Sequence, residues 1–267
     1  MKNSLSDLKN ISDEGYLILK NCISPKLIKL LQKKIMYQFS NTKKNSYQNF
    51  EKKCSKLKNK RLFEIINPIN KILINEGFLK QILNEKKLFN HLVGLLGSDL
   101  AVSNESSLTI NLSKTNDNYY FKDWHQEIWS GASVSHIQIW LPIIQKTIQD
   151  GQISFIKDSH KWGHVPHSNR APVKLPEKFK TIQTNLAIGD VVIFCTTLMH
   201  KSMPTMNPRM ALAMTVKNYK YKDMSFSDNQ DWNIFSHSEV TKIQRVLGNH
   251  YLSPFRLVNK EKKFKDI

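Results

Sequence analysis

Apolar residues change their period near residue 100. Before it, Leu27, Ile28, Leu31 and Ile35 recur at helical spacing behind Ser24-Pro25, an N-cap followed by proline at the first helical position. Leu62, Ile65, Ile66, Ile69, Ile72 and Leu73 fall on one face of a second helix, and a further helix ends near Leu96-Gly97. Within this third only Gly15-Tyr16-Leu17-Ile18-Leu19 reads as a strand. From Ala101 the texture becomes β: Ser107–Leu112, Ser135–Leu141, Gln152–Ile156, Val191–Phe194 and Met210–Val216, punctuated by turns such as Gln149-Asp150-Gly151 and Ile188-Gly189-Asp190. Strands that follow one another without intervening helices predict an antiparallel sandwich or barrel rather than a doubly wound sheet. The expected fold is mainly β with flanking helices. Its expected organisation is one domain over residues 1–267: a helix-rich part (1–100), a β core (101–220) and a C-terminal tail (221–267) packing on that core.

Composition narrows the class. With 40% hydrophobic residues the chain can build a substantial core, which excludes disorder of the whole. The best apolar stretch, Leu186 to Met199, is short and interrupted by Asp190, so no membrane span is expected. The opening MKNSLSDLKN has no apolar segment of the secretory kind, and Cys22, Cys54 and Cys195 form no CxxC. These features argue for a reducing cytoplasm. The formal charge of +18 invites a nucleic-acid or lipid partner. However, residues 1–100 carry 19 basic against 8 acidic side chains, whereas 101–220 carry 13 against 8. The densest basic run is Lys43–Arg61, and only five of the 40 basic residues are Arg, the side chain suited to bidentate phosphate and guanine contacts. A Lys-rich solvated surface is the simpler reading.

Candidate chemistry concentrates in Trp124-His125-Gln126-Glu127. On a strand, His125 and Glu127 would project to one face and could sit side by side around a metal, or equally form a surface pair. Downstream, an apolar strand delivers His200. Nine residues later Arg209 opens the alternating run Arg209–Val216, in which Arg209, Ala211, Ala213 and Thr215 share a face of otherwise small residues. A guanidinium there needs an anionic partner. Two His and one carboxylate with open positions are the ligand set of non-haem Fe(II) oxygenases. The Arg would then fork a bidentate carboxylate such as the far end of 2-oxoglutarate.

His125-Gln126-Glu127, the segment Asp150–Gly163 with its Lys157-Asp158-Ser159-His160 loop, and Gly189-Asp190-Val191-Val192-Ile193-Phe194 leading to His200-Lys201-Ser202 and Arg209 occur in a specific order and spacing. Together with Asp13–Lys20 and the helix after Ser24-Pro25, they resemble the phytanoyl-CoA dioxygenase family of Fe(II)/2-oxoglutarate oxygenases over roughly residues 5–220. The resemblance implies a double-stranded β-helix (jelly-roll) core. It implies His125, Glu127 and His200 as Fe(II) ligands, with Arg209, helped by Ser202, holding 2-oxoglutarate, O₂ as co-reactant, and Trp129 and Gln138 lining the cosubstrate or substrate pocket. It further implies oxidation of an unactivated C–H of a small organic metabolite, with succinate and CO₂ released. Three departures stand out: Glu127 where the family has Asp, Lys157-Asp158 in the loop where Pro-Gly is usual, and Asp150-Gly151 for Asn-Gly. A carboxylate at 127 argues for a hydroxylase and against a halogenase.

Plainer roles are expected elsewhere. His136 reads as packed or surface-facing, His160, His164 and His167 as loop residues rather than a second metal cluster, Asp190 as a turn-former and Cys195 as inert. The polar, aromatic Ser113–Asp123 loop before the HxE motif suits a lid or an ordinary exposed loop. A mildly positive core favours an anionic small-molecule substrate. The rival classes are a non-catalytic basic jelly-roll that binds nucleic acid or anionic lipid, and a nucleic-acid-modifying oxygenase.

Overall fold

The computed structural model describes residues 2–40, 46–57, 62–112, 123–169, 171–221 and 232–247. The expected lid, apart from Asp123, and both ends of the basic run 43–61 lie outside them. The described residues form seven helices: α1 Lys2–Glu14, α2 Pro25–Ser40, α3 Tyr47–Cys54, α4 Leu62–Asn75, α5 Phe78–Leu83, α6 Lys86–Leu96 and α7 Glu239–Leu247. The start of α2 is fixed as its sequence requires, with Ser24 Oγ accepting from the Leu27 N–H at 3.4 Å just ahead of Pro25. α4 carries Pro68 in its interior, which removes a helical hydrogen bond, yet its buried stripe of Leu62, Ile66, Ile69 and Leu73 holds it in place. Gly97, at φ +81°, ends α6 where a side chain would be strained.

The strands are β1 Tyr16–Leu19, β2 Leu100–Ser103, β3 Ser107–Asn111, β4 Ile137–Ile144, β5 Ile153–Ile156, β6 His167–Ser168, β7 Ala171–Pro172, β8 Thr181–Gln183, β9 Val191–Cys195, β10 His200–Ser202, β11 Arg209–Asn218 and β12 Trp232–Ile234. A seven-stranded antiparallel sheet runs β1-β9-β4-β11-β2-β12, with β3 pairing the first half of β11 and β2 its second half. A second sheet, β10-β5-β8, faces it, and β6-β7 form a small hairpin. This is the mainly antiparallel jelly-roll sandwich with flanking helices that the residue pattern and the resemblance predict.

Alternation in the central strands sorts residues between two layers. Ile137, Ile139 and Leu141 of β4, Val191 and Ile193 of β9, and Met210, Leu212, Met214 and Val216 of β11 face outward into one apolar cluster with α2 to α6. The opposite positions, Trp140, Val192, Phe194 and Ala211, pack with Ile153 and Phe155 of the second sheet. Each fully buried Ile or Phe contributes about 1.5–3 kcal/mol by leaving water, so these two layers carry most of the fold's driving force. A register shift where β11 meets β4 between Met210 and Ala211 leaves the Ile143 carbonyl to accept from Gln32 Nε2 of α2 at 2.7 Å. Because the inner layer is large and apolar at one end and small at Ala213 and Thr215, the sandwich opens toward that end.

Candidate metal centre

His125 and His200 are joined through their backbones before their side chains meet. They form an isolated antiparallel bridge, with both N–H···O bonds at 3.0 Å, and their ring centroids lie 4.1 Å apart. His125 Nδ1 lies 2.8 Å from the Asp123 carbonyl, and His200 Nδ1 lies 2.9 Å from the Leu198 carbonyl. A carbonyl only accepts, so each Nδ1 carries a proton there, and each Nε2 is the nitrogen turned toward Glu127 and the one that could ligate a metal. Glu127 reaches the same point by a route other than the expected strand. After the extended Gln126 the chain turns into a 3₁₀ turn, Glu127–Ser130, whose first N–H donates to the Thr196 carbonyl at 2.9 Å. The turn, not a strand's two-residue period, brings carboxylate and imidazole together. Glu127 Oε1 is 3.1 Å from His200 Nε2 and 3.5 Å from His125 Nε2.

One donor atom from each of these three residues lies within 4.8 Å of the others, and among the described residues no other group of His, Cys, Asp or Glu does so. Adjacent corners around a six-coordinate ion with bonds of about 2.1 Å are about 3 Å apart, so the donor set and its spacing fit a divalent first-row metal. His160, His164 and His167 do not converge. His160 Nε2 meets the Ser12 carbonyl at 2.9 Å, and His167 stacks on Trp129 with centroids 4.5 Å apart and planes at 10°.

Arg209 lies at the far side of the sandwich interior and is fully buried. Its terminal nitrogens donate to Thr109 Oγ1 and Ser202 Oγ, each at 3.2 Å, its Cζ stands 4.9 Å from the Trp140 ring centroid, and its Nε has no hydrogen-bond partner. Among the described residues it pairs with hydroxyls and with no carboxylate. Burial pushes its pKa down to about 9, the direction expected of a cation without an anion beside it. Gly151 makes room for the guanidinium stem, since a Cβ there would meet Arg209 Nε at 2.5 Å. A cavity of about 950 Å³ joins the two ends, lined by His125, Glu127 and His200 as well as by Thr109 and Ser202. Gln138 and Trp129 line it too. Trp129 does so from the 3₁₀ turn rather than from a strand, and Gln138 does so on β4 while accepting from Thr215 Oγ1 at 2.7 Å.

The family profile described as phytanoyl-CoA dioxygenase (PhyH) matches residues 11–211. The chain belongs to the phytanoyl-CoA dioxygenase family. Comparison with curated protein sequences gave no match. Among solved structures, the chain is similar to the non-heme monooxygenase ThoJ in its apo form, with a TM-score of 0.60 at 16% identity, covering 87% of this chain and 84% of that one. A second similar structure is the ThoJ–Ni complex, with a TM-score of 0.56 at 14% identity and the same coverage. A third is the epimerase SnoN in complex with Fe³⁺, alpha ketoglutarate and nogalamycin RO, with a TM-score of 0.50 at 9% identity, covering 81% of this chain and 84% of that one. At these identities the likeness establishes a shared jelly-roll fold. No helix among the described residues is long and apolar enough to cross a membrane.

Four further residues shape the site in this family member, and three of them carry no signal in its sequence. Gln126, fully buried, donates through Nε2 to the carbonyls of Gly163 and Thr197, and accepts through Oε1 from Trp129 Nε1 and the Val165 N–H. It thereby ties the metal-side turn to the loop that precedes the β6-β7 hairpin. Thr109, Gly151 and His167 act through contacts with Arg209 or Trp129 that are distant in sequence. A signal existed only for Gln126, a polar residue between two ligand candidates with its side chain sent the other way.

Proposed function

We propose that this chain is an Fe(II)/2-oxoglutarate-dependent oxygenase that hydroxylates an unactivated C–H of a small organic molecule, and that residues 1–267 act as one domain. The observation that carries the reading is the pairing of ends in one cavity. At one end two imidazoles and a carboxylate converge, and at the other are the hydroxyls of Thr109 and Ser202, directly behind which the buried Arg209 guanidinium donates to both. The first end suits a metal with open coordination positions, and the second suits the distal carboxylate of a short dicarboxylate. Family membership over residues 11–211 supports the same assignment.

His125, Glu127 and His200 would hold Fe(II), which with 2-oxoglutarate and O₂ supplies the oxidising chemistry and releases succinate and CO₂. The chain's own work is orientation. The Asp123 and Leu198 carbonyls fix the tautomer and rotation of the two imidazoles, and the Thr196 carbonyl fixes the turn that aims Glu127. Thr109, Ser202 and the Trp140 face hold the Arg209 fork, and because the guanidinium is fully buried behind the two hydroxyls, these would shift to let a carboxylate reach its N–H donors. The apolar inner layer of Phe194, Trp140 and Ile153 keeps water away from the region between the two ends.

Anaerobic protein given Fe(II) and 2-oxoglutarate should develop a weak visible charge-transfer band, lost in His125→Ala and His200→Ala. Folded protein that holds stoichiometric iron without this band would refute the assignment. Salt-sensitive binding to polyanions, without succinate release from any metabolite class, would favour the basic binding module instead.

A further inference from the structure

The turn that carries Glu127 is held loosely by its own backbone. The Trp129 N–H donates to the Gln126 carbonyl and the Gly131 N–H to the Ile128 carbonyl, both at 3.3 Å, and the Glu127 and Ile128 N–H groups share the Thr196 carbonyl at 2.9 and 3.4 Å. Bonds this long, in a 3₁₀ turn, leave its pitch open to whatever packs on it. Side chains supply the constraint. Trp129 Nε1 donates to Gln126 Oε1 at 3.1 Å, so the residues that bracket Glu127 and Ile128 are tied to each other by main chain and by side chain. The same Oε1 accepts from the Val165 N–H at 2.9 Å. Val165 is buried with Trp124 and Met199, each one residue ahead of a candidate His ligand, and Trp129 packs against that cluster. Just beyond Val165 the β6-β7 hairpin begins, closed by the Val173 N–H donating to the Pro166 carbonyl at 2.9 Å. Its first residue, His167, is exposed and lies flat on the Trp129 ring. Glu127, Trp129 and His167 all line the cavity.

We infer that Trp129 is a positioning residue for Glu127, and that it makes His167 the outer end of a lever on the metal-binding carboxylate. The inner end is fixed, because Gln126 and Val165 are buried and hydrogen-bonded to each other. The outer end is an exposed imidazole on a two-stranded hairpin. Moving that imidazole tilts the indole, the indole N–H shifts against Gln126 Oε1, and the turn that aims Glu127 changes pitch. Groups outside a metal's ligand set that orient a ligand in this way tune the metal without touching it. A molecule that settles against the hairpin therefore reaches the metal centre through the protein. This inference rests on the metal-centre and oxygenase reading above.

Co(II) alone tests it, through calorimetry and through its visible d–d bands, which report coordination number and geometry. In Trp129→Phe, which keeps a ring but loses the N–H, Co(II) affinity should fall about tenfold and the bands should shift. His167→Ala should move the bands in the same direction, with an affinity loss of about two- to tenfold, the range of one aromatic contact. His167→Phe, which puts a ring back on the indole, should restore the wild-type bands. Leu31→Ala, in the buried layer under α2, serves as the stability control: it should lower the melting temperature and leave the bands alone. Trp129→Phe and His167→Ala proteins that melt earlier yet keep wild-type bands and affinity would reduce both residues to a structural role and overturn the inference. So would a band shift in His167→Ala that His167→Phe does not reverse. Wild-type protein that binds no Co(II) would overturn the metal-centre reading and this inference with it, whereas bound Co(II) with unchanged bands in the variants would overturn this inference alone.

Discussion

Gly151→Ala is the substitution that most directly separates the cosubstrate end of the cavity from the metal end. Gly151 has φ +53°, in the left-handed region where a Cβ costs about 1–2 kcal/mol. The added atom would come 2.5 Å from Arg209 Nε, 2.8 Å from Cγ and 3.2 Å from Cδ. Ordinary carbon contacts are about 3.5–4.0 Å, so the Arg209 side chain must retreat by about 1 Å. A surface Arg would swing aside, but this one is fully buried and clamped by Thr109, Ser202 and Trp140. Displacing the fork should therefore cost one of its two charge-assisted bonds to a carboxylate, about 1.5–3 kcal/mol, or about a 10- to 150-fold weaker affinity for 2-oxoglutarate. The backbone strain should lower the melting temperature by only about 2–8 °C. Titrating 2-oxoglutarate into anaerobic Fe(II)-loaded protein, with a thermal melt on the same sample, reads both numbers. The band should reach its full amplitude at a higher concentration. Wild-type 2-oxoglutarate affinity in folded Gly151→Ala would refute the placement of Arg209 as the cosubstrate anchor.

Other expectations follow from the same geometry. Arg209→Ala should raise the 2-oxoglutarate concentration needed for half-saturation at least as far, with Fe(II) affinity measured by dialysis nearly unchanged. Glu127→Ala should weaken Fe(II) binding by at least about 100-fold in that dialysis, because two neutral imidazoles alone neutralise none of the ion's charge. Gln126→Leu leaves the carbonyls of Gly163 and Thr197 and the N–H groups of Trp129 and Val165 without their partner. Denaturant unfolding should then show a loss of about 3 kcal/mol or more. Burial would raise the pKa of Asp190, but hydrogen bonds from the Asn21 N–H, Lys20 and the Ala187 N–H outweigh it and hold the carboxyl below its usual 3.8. A depressed folded pKa gives stability that is complete above the unfolded value and is lost as pH falls through the folded one. Asp190→Asn should thus be less stable than wild type at pH 6, with the difference shrinking below about pH 4.

What could be read from the sequence was whatever depends on local period or on a chemically improbable residue. β11 was visible because small and large side chains alternate along it, and Arg209 because a guanidinium on such a strand demands a partner. β10 is three residues long, below the length at which alternation means anything, so His200 was found through the strand before it. α1 gave little signal because its packing on α6 relies on a polar pair, Asp7 with His91, as much as on Ile11. The co-projection of His125 and Glu127 was expected for a reason the structure replaces: the backbone turns there, and a turn of the right pitch imitates a strand's facing pair. Gly151 against Arg209 and His167 against Trp129 were beyond reach, since no local pattern encodes a contact between segments that only the folded sandwich brings together.

The backbone bridge between His125 and His200 changes what a metal ion would have to do here. Glu127 and His200 are 73 residues apart in the chain. Closing a flexible loop of that length costs about 4 kcal/mol in chain entropy. In this protein two peptide hydrogen bonds and the sheet around them close it, so an incoming ion meets ligands that are already gathered. Its binding free energy then goes into coordination rather than into folding. Stripping the metal with a chelator should lower the unfolding free energy by only the mass-action amount set by free ion concentration and Kd, and should leave the cooperative transition intact.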